Sequence, residues 1–183
     1  MKRGLILVDI QNDYFPGGRM ELVGMTEASL KAKDLLSHFR ENRLPTFHVQ
    51  HIGTGPNATC FIPNTEGIEI HENVKPLQED IVIQKHYANS FRETNLLGEL
   101  NKAGVDQVVI CGAMSHMCID ATTRAAADYG FKCIVVHDSC ATKDLEFRGH
   151  SIPADQVHGS FMAALGFAYA NVVSLKEFVS ETV

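Results

Sequence analysis

Three residues able to do chemistry stand at or just beyond the ends of short apolar runs, where a rigid backbone can hold a side chain in place. Leu5-Ile6-Leu7-Val8 leads into Asp9, Ile81-Val82-Ile83-Gln84 leads into Lys85, and the run Gln107 to Cys111 leads through a glycine-containing turn to Cys118. A carboxylate, an ammonium and a thiol have complementary roles. The thiol can attack an electrophilic carbon, the carboxylate can accept its proton and return it to a leaving amine, and the ammonium favours the thiolate. The stretch Cys111-Gly112-Ala113-Met114-Ser115-His116-Met117-Cys118 reads as a strand-to-helix turn. Backbone N–H groups and the helix dipole at such a turn are expected to lower the thiol pKa. The main-chain N–H groups of Met114 and Cys118 are candidates for an oxyanion hole, where one donor is worth about 2.7–4 kcal/mol in acyl transfer. Singly, each residue also has an ordinary reading: a loop-bonding carboxylate, a surface ammonium, a packed thiol. Their convergence at one rim is what makes a site.

That convergence requires a particular architecture. Six short apolar runs read as strands: Leu5 to Val8, Pro45 to Val49, Ile81 to Gln84, Gln107 to Cys111, Lys132 to Val136 and Asn171 to Val173. Helical patterns lie between them at Thr26 to Asn42, with Thr26 as the N-cap, Thr94 to Ala103, Ser115 to Tyr129 and Pro153 to Ala168. The alternation predicts a three-layer α/β fold with a parallel sheet covered on both faces, for which the strand order 3-2-1-4-5-6 is assumed. In such a sheet, ligands collect beyond the carboxyl ends of the strands where the strand order reverses, which is where Asp9, Lys85 and Cys118 fall. The segment Gln50 to Asn73, rich in Gly, Pro, Asn and Thr, lacks a sustained period and reads as a long functional loop.

Composition narrows the partners. The 183 residues read as one domain spanning 1–183, long enough to bury a core without disulfides. A net charge of −6 opposes binding to nucleic acid or to an anionic membrane surface. The longest apolar run, Phe161 to Ala170, is about half of the roughly 20 residues that a bilayer span needs. Five cysteines, an odd number without a C-x-x-C pair or zinc-type spacing, indicate a reduced, cytoplasmic chain.

Three ordered motifs carry a family resemblance. They are Leu7-Val8-Asp9-Ile10-Gln11-Asn12-Asp13-Tyr14-Phe15-Pro16-Gly17-Gly18, then Gln84-Lys85-His86-Tyr87-Ala88-Asn89-Ser90-Phe91, then Val109-Ile110-Cys111-Gly112-Ala113-Met114-Ser115-His116-Met117-Cys118-Ile119-Asp120-Ala121-Thr122. Together they resemble the isochorismatase-like cysteine hydrolases, which include nicotinamidases and N-carbamoylsarcosine amidohydrolase. The resemblance implies a Rossmann-like α/β fold with a six-stranded parallel sheet and an Asp9, Lys85, Cys118 triad that hydrolyses a C–N, amide-type bond of a small molecule through a thioester. It further implies a cis, non-proline peptide between Ala113 and Met114, no cofactor, and a homo-dimer or homo-tetramer with the region of His158 and Phe161 in subunit contacts. Tyr14, Tyr87, Asn89 and Phe91, lying beside the motifs, are candidate substrate-binding residues, each equally plausible as packing.

The chain also departs from its relatives. Nicotinamidases carry an aspartate and histidines after the second strand that bind a divalent metal. Here that region offers His48, His51 and His71 without an Asp-x-His arrangement, so the expectation is no metal. A metal-assisted, nicotinamidase-like amidase using these histidines is the alternative enzyme reading. A non-catalytic small-molecule binder or redox-responsive thiol protein is the alternative from another class. Cys140, without the glycine turn, is read as structural.

Overall fold

The computed structural model describes residues 1–55 and 58–180. Numbered in chain order, the strands are β1 Arg3–Val8, β2 Thr46–His51, β3 Ile81–Lys85, β4 Gln107–Ala113, β5 Lys132–Ala141, β6 Leu145–Phe147, β7 His150–Ile152 and β8 Ala170–Val173. The helices are α1 Met25–Glu41, α2 Leu96–Lys102, α3 Asp120–Asp128, α4 Ala154–Ala168 and α5 Leu175–Ser180. Six strands form one sheet in the order β3-β2-β1-β4-β5-β8. Every neighbouring pair is parallel. The expected order therefore holds, with β8 as the sixth strand, because an antiparallel hairpin, β6 and β7, precedes α4. Three-residue strands are too short to show a period, so neither the hairpin nor the six-residue α5 is legible in the sequence.

Parallel strands covered on both faces read as continuous apolar runs because no residue has a solvent face to occupy. Accordingly Leu5, Ile6 and Val8 in β1, and Val108, Val109 and Ile110 in β4, are fully buried. The chain proceeds from β1 outward through β2 to β3, then returns to the other side of β1 for β4, which opens the crevice between the ends of β1 and β4. At that point Gly112 has φ +123°, and a Cβ there would collide with the Val8 carbonyl oxygen. Only glycine lets β4 run this close to β1 at the rim.

Two boundaries differ from expectation in ways that shape the site. The helix expected from Ser115 begins as a five-residue π-helical turn, Ser115–Ile119, and becomes α-helical only at Asp120. Wider turns of this kind often mark functional sites. Helix α1 begins at Met25, with Gly24 rather than Thr26 at its N-cap. Within the long segment after β2, short 3-10 turns form at Glu66–Ile68 and Glu72–Val74. The segment is pinned to the loop after β1: Gln11 Nε2 donates to the Ile68 carbonyl at 2.8 Å, and the Phe61 N–H donates to Asp13 Oδ2 at 2.6 Å.

Candidate functional site

Asp9 is the first residue past β1. Its N–H donates to the Val49 carbonyl at 3.0 Å and its φ is +52°, a left-handed conformation that aspartate tolerates better than most residues. Lys85 ends β3, two strands away, and is paired in register with His51 at the end of β2. A long side chain is needed to cross the end of β2, and lysine has one. Cys118 sits in the π turn, which is held from outside by a 2.8 Å hydrogen bond between Ser115 Oγ and His158 Nδ1 and a 2.7 Å bond between His116 Nδ1 and Thr142 Oγ1. The peptide between Ala113 and Met114 is cis.

These elements bring the three side chains together in a buried cluster. Lys85 Nζ lies 2.7 Å from Asp9 Oδ2 and 3.3 Å from Cys118 Sγ. The ammonium also donates to the Tyr87 carbonyl at 3.0 Å and meets His51 Nδ1 at 3.0 Å. Asp9 and Lys85 are 0% and 1% exposed, and Cys118 is 5% exposed. A carboxylate oxygen of Asp9 lies within 4.8 Å of Cys118 Sγ.

Burial is the largest influence on the Cys118 thiol and pushes its pKa up; the Asp9 carboxylate pushes it the same way, and Lys85 pulls it down. This corrects the expectation of a thiol acidified by its helix. The turn's dipole is outweighed by desolvation and by a carboxylate delivered from another part of the chain. At neutral pH the resting thiol keeps its proton. For Lys85, burial lowers the pKa, but Asp9 and Cys118 raise it by more, so the ammonium stays charged. The Tyr14 pKa is raised first by burial and then by Asp9 and Cys118, so its hydroxyl stays protonated.

The other candidate residues are dispersed. Tyr14 is buried with Phe61 edge-on at 4.8 Å. Tyr87 contributes its carbonyl to Lys85 while the Arg92 guanidinium lies over its ring at 3.6 Å. Asn89 Oδ1 accepts from the Phe91 N–H at 2.9 Å, and the Phe91 ring packs against Tyr129 and Phe131. Two participants were not singled out from the sequence. Gln11 clamps the His51 backbone with two bonds, Nε2 to the His51 carbonyl at 2.9 Å and the His51 N–H to Oε1 at 2.8 Å. Phe61, at φ +54°, lies against both Tyr14 and His51. The fixed place of Gln11 two residues after Asp9 was an available signal; Phe61 offered none.

The three histidines do not assemble. His48 and His51 lie on opposite faces of β2, as an odd spacing in a strand requires. His48 is 1% exposed, with Nε2 3.3 Å from Asp80 Oδ2, while Asp80 also accepts from Arg40 and Thr46. His71 stacks on Phe15 with ring centroids 3.6 Å apart. Among the described residues, Asp9, His51 and Cys118 do place one ligand atom each within 4.8 Å of one another. Those donors surround Lys85 Nζ, so a divalent ion among them would sit against a buried ammonium. The donor set fits the lysine and does not fit a metal.

His48 instead makes stability pH-dependent. Burial is the main cause that lowers its pKa from the usual 6.5 to about 4, against a smaller upward pull from Asp80. Between those values the unfolded chain holds a proton that the folded chain does not, so stability falls as pH drops through the window, by about 3 kcal/mol in full. Urea denaturation at pH 7 and pH 4 should show this loss in the wild type, and His48→Gln should flatten it. An unchanged pH slope in the variant would refute the assignment.

The isochorismatase domain profile matches residues 3–162. The chain is 51% identical over 179 residues to the uncharacterised isochorismatase family protein YddQ of Bacillus subtilis, covering 98% of this chain and 99% of the relative. It is 25% identical over 194 residues to maleamate amidohydrolase of Pseudomonas putida, covering 98% of this chain and 86% of that protein. A crystal structure of an isochorismatase-hydrolase-type protein from Oleispira antarctica superposes with a TM-score of 0.94 at 48% identity, covering 98% of this chain and 96% of that one. Order of strands, clustering of an aspartate, a lysine and a cysteine at the switch point, and near full-length similarity agree: the chain belongs to the isochorismatase family of hydrolases.

Proposed function

We propose that this protein hydrolyses the C–N bond of a small amide through a thioester on Cys118. The observation that carries the reading is the buried contact of Lys85 with both Asp9 and Cys118. A thiol held protonated beside a carboxylate suits a mechanism in which proton transfer accompanies attack. Asp9 takes the thiol proton as sulfur bonds to the amide carbon, and Lys85 balances the charge passing from carboxylate to sulfur. The main-chain N–H groups of Met114 and Cys118 receive the oxyanion. Asp9 then gives its proton to the departing amine, leaving a thioester. Water attacks the thioester, Asp9 takes a proton from it, and the thiolate leaves and is reprotonated. One amide and one water become one carboxylic acid and one amine.

Similarity to a maleamate amidohydrolase supports an amide as the substrate class. The raised thiol pKa argues against a redox sensor, which depends on a resting thiolate. Tyr14 is the pocket residue we assign first, because it is buried and near enough to Asp9 and Cys118 for both charges to raise its pKa. The test is ammonia release from a panel of small primary amides, nicotinamide and maleamate included, with and without chelator. Release that survives chelation supports the reading; release abolished by chelation and restored by added metal would favour a metal-assisted amidase.

We also propose a homo-oligomer, supported by the apolar outer face of α4, where Ala163, Ala164, Phe167 and Ala168 are exposed. Light scattering at micromolar concentration should give at least twice the chain mass, and a monomer would overturn it.

A further inference from the structure

We propose that His51 is a positioning residue for Cys118: with the Tyr87 carbonyl it holds two N–H bonds of Lys85 fixed, so that the third can swing between Asp9 and the sulfur. The inference rests on the hydrolase reading above and adds a residue to it.

An ammonium has three hydrogens to donate. Four acceptors surround Lys85 Nζ: Asp9 Oδ2 at 2.7 Å, His51 Nδ1 at 3.0 Å, the Tyr87 carbonyl at 3.0 Å and Cys118 Sγ at 3.3 Å. The sulfur is the farthest of the four. In the resting state the thiol is protonated and a poor acceptor, so the three nearer acceptors match the three hydrogens. When the thiol proton moves to Asp9, the carboxylate loses its charge and the sulfur gains one. The acceptors are then the thiolate, the Tyr87 carbonyl and His51, again three for three. One N–H has swung from oxygen to sulfur while one proton has gone the other way. His51 and Tyr87 are the fixed points of that exchange.

The position of His51 is itself secured. Both Gln11 bonds fix its backbone, Gln11 is fully buried, and Phe61 covers its ring with centroids 5.6 Å apart. To accept from Lys85, Nδ1 must carry no proton, which places the ring hydrogen on Nε2. Burial, then Lys85 and His86, hold the imidazole neutral against the opposite pull of Asp9; Cys118, the remaining titratable neighbour, is an uncharged thiol at rest. Protonation at low pH would turn the acceptor into a second cation and release the ammonium.

The test is the pH dependence of Cys118 alkylation by iodoacetamide, followed by mass spectrometry of the Cys118 peptide, which needs no knowledge of the substrate. His51→Leu removes the acceptor. His51→Asn keeps one, its Oδ1 lying near the place of Nδ1, and does not titrate. In the leucine variant the ammonium is no longer held in place for the sulfur, and misplacement of that kind predicts a fall of about tenfold or more in alkylation rate. The asparagine variant should recover most of the rate and lose the inflection below pH 6.5 expected of the wild type. A leucine variant that alkylates like wild type overturns the inference. So does an asparagine variant, with an unchanged melting temperature, that is equally slow or keeps the inflection; this variant decides the matter should the leucine variant not fold. A wild-type Cys118 inert to both iodoacetamide and every amide would overturn the hydrolase reading and this inference together.

Discussion

Replacing Cys118 with alanine is expected to reduce ammonia release from a responsive amide by on the order of 10⁴-fold or more, because in the proposed mechanism the acyl intermediate forms on Cys118 alone. The fold should survive the change. Removing one sulfur from a buried position costs roughly 1 kcal/mol, and the turn around it is held by Ser115 and His116 rather than by the thiol. Cys118→Ser should be nearly as inactive, since a hydroxyl is a weaker nucleophile than sulfur and its shorter bond leaves it farther from the carbon it must reach. The serine protein also separates chemistry from packing, because it keeps a polar atom in contact with Lys85. Turnover within tenfold of wild type in either variant would rule out the thioester mechanism, whatever the amide.

Asp9→Asn is expected to move two measurements in opposite directions. The Asp9 charge helps to keep the thiol protonated, so its removal should lower the Cys118 pKa. A buried ammonium also needs a negative partner, and without Asp9 the sulfur is the group at hand to become one. Alkylation by iodoacetamide near pH 7 should therefore become faster than in wild type. Turnover should nevertheless fall by about 10²–10⁴-fold, the usual contribution of a general acid–base, because nothing carries the proton from thiol to leaving amine. Breaking a buried ion pair from one side costs about 3–5 kcal/mol, so the variant should also melt at a lower temperature. Both rates falling together would mean that Asp9 only holds Lys85 in place. Both rising would remove it from proton transfer altogether.

The sheet was legible in the sequence because its strands are covered on both faces. Leu5 to Val8 and Val108 to Cys111 have no solvent side, so burial leaves an unbroken apolar signature, and Asp9 marks the rim where the first of these runs ends. The Ser115 turn was not legible in the same way. A π turn and the first turn of an α-helix draw on the same residues, and hydrogen bonds from His158 and Thr142, far along the chain, accompany the wider form. Nor was the role of His51. A histidine after a strand is equally suited to a metal, a solvent face or an ammonium, and only the arrival of Lys85 Nζ at 3.0 Å decides among them.

By itself, then, the sequence determined which reactive groups stand at strand ends, because strands buried on both faces carry their own apolar pattern, whereas the order that brings those ends to one switch point belongs to the tertiary structure. Tertiary structure decided the state in which they meet. The resting protonation of Cys118 depends on the water excluded around it and on the Asp9 charge beside it. The separation of His48 from His51 depends on which sheet face each residue occupies. Desolvation and charge act through space, and no residue carries them in its identity alone.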